Sequence, residues 1–192
     1  MNSNQVSYCE SPRLILRDYR PSDFEAVHAY SSDPENVAHM VYGPNTPEQT
    51  RIYLEKTCPE EAAAEPRMHY NFALALKPDD LVIGGISLHM NWRRDDAILG
   101  LILNKRFQGK GLTTEGLDAV LGYAFGTLGL HRVHAVCDVS NQGIIRVVEK
   151  LGLRREGCMV QRGKSRPDAP TEYFDQYGYA ILRTEWRNRI KR

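Results

Sequence analysis

The stretch Arg106–Glu115, which reads RFQGKGLTTE, constrains this chain most, because it joins an apolar strand-like run to a strongly periodic helix. Gly109 and Gly111 stand one residue apart at this corner, where glycine lets the backbone turn and expose its N–H groups. The first turn of the following helix adds unpaired N–H donors and the positive end of the helix dipole. These parts together predict a cradle for a phosphate group.

The spacing of the two glycines excludes the two common nucleotide-binding loops. A Walker loop places Lys and then Ser or Thr directly after its second conserved Gly, whereas Lys110 lies between the glycines. A dinucleotide fingerprint needs a further Gly at the position that Thr114 occupies. The sequence therefore predicts a phosphate ligand of another kind.

Size and composition limit the class of protein. We interpret residues 1–192 as one domain, with residues 1–12 loose. The chain has 25 Lys and Arg against 24 Asp and Glu, so its net charge is +1. This balance argues against nucleic acid as a partner and against binding to an anionic membrane. The longest apolar run, Ala97–Leu103, is far shorter than the ~20 residues that span a bilayer. The chain shows no signal-peptide pattern and no Cys-x-x-Cys pair, so we expect reduced thiols and a cytoplasmic location.

Hydrophobic periodicity predicts a strand, two helices, three strands, a helix, a strand, a helix and two closing strands. The strands are expected at residues 13–18, 71–77, 81–90, 97–104, 132–139, 155–162 and 173–182. Gly84 and Gly85 indicate a bulge or a close approach of two backbones within one strand. His131 and His134 lie three positions apart at another strand and would point to opposite faces, so we expect no metal site. The helix after the loop is the clearest element, and its apolar positions are Leu117, Val120, Leu121, Ala124, Phe125 and Leu128.

The loop and the order of elements resemble the GNAT acetyltransferases. The acetyl-CoA loop of that family usually reads Arg/Gln-x-x-Gly-x-Gly/Ala, and the matching positions here are Gln108, Gly109, Gly111 and Thr113. The resemblance covers nearly the whole chain. It implies an α/β GNAT fold, with a mixed, largely antiparallel sheet of about six to seven strands and helices on both faces.

Three segments are similar to the ribosomal-protein N-acetyltransferase-like branch of that family. Residues 13–17 resemble its opening strand, and residues 128–135 resemble its approach to the fourth long strand. Residues 141–157 resemble its Asn-x-x-Ser…Glu-Lys-Leu-Gly-Phe…Glu-Gly signature. The resemblance implies an N-acetyltransferase that uses acetyl-CoA as co-substrate and needs no metal. The acceptor would be a primary amine, on a protein N-terminus or a small molecule, that attacks directly in a ternary complex. Monomer and homodimer both remain open.

The resemblance also assigns residues to acetyl-CoA. Leu101, Ile102 and Leu103 would lie on a strand that splays from its neighbour, so that the backbone can pair with the pantetheine arm and an N–H can hold the oxyanion. Asn141 would lie near the cofactor, or it is a plain helix cap. The residues expected at the diphosphate are Gln108, Gly109, Lys110, Gly111, Leu112, Thr113 and Thr114.

The acid and base groups depart from the family pattern. Amine acetylation requires that a proton be removed from the amine. The positions that would carry the family's Glu, Tyr and Ser are apolar here, namely Ile98, Val148 and Ile144. Candidate replacements for the base are His89, Asp95, Asp96, Asp138 and Ser140. If none of them serves, two alternatives stay open. Water takes the proton in a transferase that still works by positioning the amine, or the chain is a CoA-binding protein with little catalysis that acts as a sensor or interaction module.

The acceptor site is expected beside the cofactor. The two N-terminal helices and Gly163–Thr171 would form its walls, because they flank the cofactor edge and differ most from the shared core. Candidate lining residues are Tyr30, Tyr42, Tyr70 and Trp92, and the alternative for each is packing in the core or on the surface.

Overall fold

The structure, a computed structural model, describes residues 7–164 and 173–189. Its strands are β1 (Ser7–Glu10), β2 (Leu14–Asp18), β3 (His69–Leu76), β4 (Leu81–Met90), β5 (Asp96–Leu103), β6 (Arg132–Asp138), β7 (Arg154–Lys164) and β8 (Tyr173–Leu182). Its helices are α1 (Phe24–Ser31), α2 (Pro47–Ile52), α3 (Cys58–Ala63), α4 (Leu112–Gly126), α5 (Gln142–Lys150) and α6 (Arg183–Arg189). A π-helical turn, Tyr53–Thr57, joins α2 to α3.

The described strands form one sheet in the order β1-β2-β3-β4-β5-β6-β8-β7. Within it, β5 and β6 are parallel, and all other neighbouring strands are antiparallel. The mixed, largely antiparallel sheet is thus confirmed, and β5 lies in its centre as its apolar faces predict.

The expected number of six to seven strands was too low, because the sheet has eight. The additional strand is β1, which pairs antiparallel with β2. Its four residues, Ser7–Glu10, belong to the segment that we expected to be loose. So short a strand carries too little hydrophobic alternation to be recognised from sequence. Residues 1–6 of that segment lie outside the described part of the chain.

Helices cover both faces of the sheet, as predicted. On one face, α4 and α5 pack on a core that includes the expected positions Leu117, Val120, Leu121, Ala124 and Phe125. On the other face, the segment from α1 to α3 packs with Val27, Tyr30, Leu54 and Cys58 on a second core. The bulge expected at Gly84 is also present, since the β3–β4 register shifts between Leu74 and Ala75.

Candidate functional site

Strands β5 and β6 pair over their first halves and then separate. Their parallel register runs from the pair Asp96/Arg132 to the pair Leu99/Ala135, although the strands continue to Leu103 and Asp138. Beyond Leu99, β5 still pairs with β4, and beyond Ala135, β6 still pairs with β8. A gap therefore opens between β5 and β6 at their C-terminal ends.

Backbone groups of β5 point into this gap. The N–H of Asn104, just after β5, donates to the Ile83 carbonyl at 2.8 Å and so points toward β4. Because the backbone groups of successive strand residues point to alternate sides, Leu101 and Leu103 direct theirs into the gap, whereas Ile102 directs its own toward β4. The Leu103 carbonyl accepts the side-chain amide of Gln108 at 3.2 Å. The Leu101 N–H and C=O are thus the backbone groups best placed to receive an extended ligand.

The glycine loop follows the same end of β5. Gly109 and Gly111 have φ values of +74° and +76°, and Gly111 is the N-cap of α4. Leu112 is buried, so its side chain belongs to the core and only its backbone can serve a ligand. The Lys110 ammonium lies 5.2 Å from the centre of the Phe107 ring. The loop therefore presents backbone donors and a cation beside the gap.

Arg13 lies next to this loop, although the sequence placed it only on an opening strand. Its Nη1 donates to the Lys110 carbonyl at 3.1 Å, and its Nε donates to Glu115 at 2.7 Å. Burial opposes ionisation of Glu115, but the Ser11 hydroxyl and Arg13 hold the pKa of this carboxyl below its usual range. No local signal could reveal Arg13, because about one hundred residues separate it from the loop.

Residues 33–39, after α1, are tied to the ends of both separated strands. Lys105, just beyond β5, pairs with Asp33 at 2.8 Å and with Glu35 at 2.7 Å. At the end of β6, the Asp138 carboxylate lies 3.0 Å from Nδ1 of His39. The segment thus links the two sides of the gap at its mouth.

A cavity of about 600 Å³ opens beside the gap, on the face of the sheet that carries α1–α3. Its floor comes from β3, β4 and β5 and includes Asn71, Gly85, Ser87, His89, Ile98 and Gly100. Its walls come from the residue after β2, α1, the loop after α1, α2 and the π-helical turn. They include Tyr19, Tyr30, Met40, Val41, Tyr42 and Tyr53. Among the described residues that line it, none is Asp, Glu, Lys or Arg.

Two of the four expected lining residues are at the cavity, and two are not. Tyr30 and Tyr42 line it. The expectation for Tyr70 was wrong, because this ring is buried in the core on the opposite face. The expectation for Trp92 was also wrong, since its side chain is 81% exposed in the turn between β4 and β5. Of the proposed wall Gly163–Thr171, residues 165–171 lie outside the described part of the chain.

The five candidate bases differ in their position relative to the cavity. Within the described chain, His89 is the one that lines the cavity. The other four candidates do not line the cavity. Asp95 is hydrogen-bonded to Asn91, Asp96 is paired with His134, and Asp138 is hydrogen-bonded to Ser140.

Two other predicted positions have structural roles. Val148, where the family would place Tyr, is buried in the core on the face opposite the cavity. The Asn141 side-chain oxygen accepts the Ile144 N–H at 3.2 Å, which is a helix cap.

Nowhere in the described ranges do three or more His, Cys, Asp or Glu side chains form a group that could hold a metal ion. In the same ranges, every helix is too short or too polar to cross a membrane.

Comparisons with a family model, with known sequences and with solved structures all indicate the same family. A model of the acetyltransferase (GNAT) domain matches residues 13–154. The chain is 32% identical to the uncharacterized N-acetyltransferase YnaD of Bacillus subtilis, over 91% of this chain and 96% of that protein. It is 31% identical to a GNAT-family acetyltransferase structure from Bacillus anthracis, with a TM-score of 0.81 over 92% of this chain and 99% of that one.

A more distant structure is similar in fold. It is the spermidine N-acetyltransferase of Vibrio cholerae in complex with CoA and spermine, which is 20% identical, with a TM-score of 0.78 over 93% of this chain and all of that one.

Proposed function

Because the chain belongs to the GNAT acetyltransferase family and is an acyltransferase, we propose that it transfers the acetyl group of acetyl-CoA to a primary amine by direct attack in a ternary complex. The observation that carries this proposal is the juxtaposition of the β5–β6 gap and the cavity. The backbone of Leu101 points into the gap, and Gly100, Leu101 and Ile102 line the cavity. A thioester held in the gap would therefore meet an amine that enters through the cavity.

The residues around the gap fit acetyl-CoA. The Leu101 N–H and C=O would pair with the amides of the pantetheine arm, as an added strand pairs with a sheet edge. The N–H donors from Gly109 to Thr113 would hold the diphosphate at the start of α4, with the Arg13 and Lys110 cations beside them. A backbone N–H of β5 that faces the gap would stabilise the oxyanion as the amine attacks.

Direct attack is favoured over an acetyl-enzyme intermediate by the state of the thiol on β6, one of the two strands that border the gap. Cys137 on β6 is 5% exposed, and burial raises the pKa of its thiol to about 11. A thiol in this state is a poor nucleophile at neutral pH. The acetyl group would therefore pass straight from sulfur to nitrogen.

The cavity favours an acceptor amine on an uncharged, largely apolar body. A second ammonium, as in a polyamine, would lose its water without gaining a carboxylate, which is costly. Val41 is 79% exposed at the cavity and adds apolar surface that a ligand could cover. The size of the cavity is typical of small-molecule sites. We therefore place the acceptor among arylalkylamines and comparable alkylamines.

A thiol-release assay with a panel of amines tests this function. We expect phenethylamine to accelerate CoA release from acetyl-CoA and spermidine to do so more slowly, with the N-acetyl product identified by mass spectrometry. Faster release with spermidine would contradict the acceptor class but not the transfer. Acetyl-CoA binding without amine-dependent release would instead favour a CoA-binding protein with little catalysis.

A further inference from the structure

Three residues form a row across β5, β4 and β3 on the cavity face of the sheet. His89 is the direct cross-strand neighbour of Ile98 on one side and of His69 on the other. The two imidazole rings stack with centroids 4.6 Å apart. Nδ1 of His69 lies 2.7 Å from the Glu61 carboxylate on α3. The row thus runs from the cavity floor to a carboxylate on α3.

His89 is free to act on a ligand. It lines the cavity, its side chain is exposed there, and among the described residues its ring nitrogens make no hydrogen bond. Directly opposed residues on one sheet face have Cβ atoms about 4.5–5.5 Å apart, so the imidazole reaches the space above Ile98. That space adjoins Gly100 and Leu101 on β5, where the reacting amine would lie.

We propose that His89 accepts the proton that the acceptor amine must lose, and that His69 and Glu61 are positioning residues that set the orientation and basicity of its ring. This inference rests on the proposed function. It moves the base from the strand where the family pattern expects it to the neighbouring strand, one cross-strand position away.

The proton transfer balances as follows. The acceptor enters as an ammonium ion, and His89 takes one proton and passes it to solvent, which leaves a neutral amine. The nitrogen lone pair then forms a C–N bond to the thioester carbon, and the carbonyl becomes an oxyanion. When the oxyanion collapses, the C–S bond breaks and the second nitrogen proton passes to the leaving sulfur. The products are the amide, CoA thiol and one released proton.

The groups around His89 keep it neutral and able to accept a proton. Partial burial, and then the neighbouring His69, lower the pKa of His89 below its ordinary value of 6.5, while Glu61 opposes this shift. On the walls of the cavity, burial raises the pKa of Tyr19, Tyr30 and Tyr53 well above 10, so these phenols stay neutral. Next along the row, on β6, His134 stands opposite Ile98 and is paired with Asp96 at 2.8 Å.

The test is the pH profile of kcat at saturating acetyl-CoA and amine, for wild type, His89→Gln and His134→Gln. We expect the wild-type rate to fall at acid pH with a midpoint below 6.5. His89→Gln should lower kcat by about 10²–10⁴-fold and remove this limb. His134→Gln should keep both rate and limb. Calorimetry should give the same acetyl-CoA affinity for all three proteins, which shows that the variants are folded.

The positioning residues have opposite expected effects. His69→Gln should move the midpoint up, because His69 lowers the pKa of His89, and Glu61→Gln should move it down, because Glu61 raises that pKa. A purely structural role would change the rate without these shifts of opposite sign.

The role of His89 would be overturned if His89→Gln kept the rate and the limb, or if His134→Gln lost them instead. If the wild type transferred acetyl to no amine, the proposed function would fail and take this role with it. An NMR titration of the His89 side chain separates the two failures. A midpoint below 6.5 that moves when phenethylamine is added supports the contact with the acceptor, and an unaffected resonance contradicts it.

Discussion

Gly84 on β4 approaches the carbonyl oxygen of Ile102 on β5 so closely that a Cβ atom added to Gly84 would lie 2.3 Å from it. A contact of this length is impossible, and the obstructing atom is backbone, so it cannot rotate away. Gly84 therefore allows β4 to approach the half of β5 that has left β6. The position of Leu101 in the gap depends on this approach.

Gly84→Ala should destabilise the protein by about 1–3 kcal/mol, because β4 and β5 must move apart. It should also raise the KM for acetyl-CoA, since the displaced segment carries Leu101. Urea unfolding and steady-state kinetics measure the two effects. The matched control is Gly126→Ala at the end of α4, where an added Cβ meets nothing within 4 Å and stability should be kept. Equal behaviour of the two variants would refute the close approach.

Gly111→Val should raise the acetyl-CoA dissociation constant at least about tenfold, ~1.4 kcal/mol, by crowding the diphosphate. The φ of +76° at Gly111 means that valine also strains the fold. Gly129→Val is therefore the control, because Gly129 has a φ of +67°, has nothing within 4 Å of an added Cβ and lies at the far end of α4. Calorimetry should show weaker binding for the first variant alone. Equal affinities would mean that the loop is only a turn.

Arg17 and Asp23 form a buried bidentate ion pair, in which the Nη1 and Nη2 atoms of Arg17 each donate to an Asp23 oxygen at 2.9 Å. Their side chains are 1% and 7% exposed. Arg17→Met should cost about 3–5 kcal/mol of unfolding free energy, since it leaves the buried carboxylate without its cation. Arg51→Met, at a side chain 54% exposed, should cost less than about 1 kcal/mol. Chemical denaturation compares the two, and similar losses would argue against the buried pair.

Asp80 should make stability depend on pH in the acid range. Burial opposes its charge, but Arg17 and Arg20 outweigh this and hold its pKa below the ordinary 3.8. Since the folded-state pKa is lowered, the stabilisation is complete above the unfolded-state pKa and is lost as pH falls through the folded-state pKa. Asp80→Asn should thus be less stable than wild type at about pH 6, and the difference should shrink below about pH 4.

Asparagine suits this comparison because Asp80 has a φ of 54°, which asparagine tolerates. Urea unfolding of both proteins across this range measures the difference. A difference that stays constant down to about pH 3 would contradict the assignment.

Local signals predicted most of the fold. The apolar run of β5, the paired glycines and the stripe of α4 are each contained within a few residues, and the structure has all of them in place. The strand β1 was missed because four residues carry little pattern and are fixed by pairing with β2.

The candidate site depends on contacts that no local pattern contains. Arg13 reaches the loop across the sheet, and His89 stands opposite Ile98 through the β4–β5 register. Periodicity places Tyr70 and Asn71 on opposite faces of β3 but does not say which face carries the cavity. That face is the one on which the segment from α1 to α3 packs, and this packing is a long-range contact.

Two-substrate kinetics tests direct transfer most directly. The steady-state rate is measured while the concentrations of acetyl-CoA and phenethylamine are both varied. In a ternary complex, CoA release requires both substrates, and the double-reciprocal lines intersect. The account predicts this pattern, with one N-acetylated amine formed for each CoA released. Parallel lines, or CoA release that proceeds equally well without amine, would contradict it.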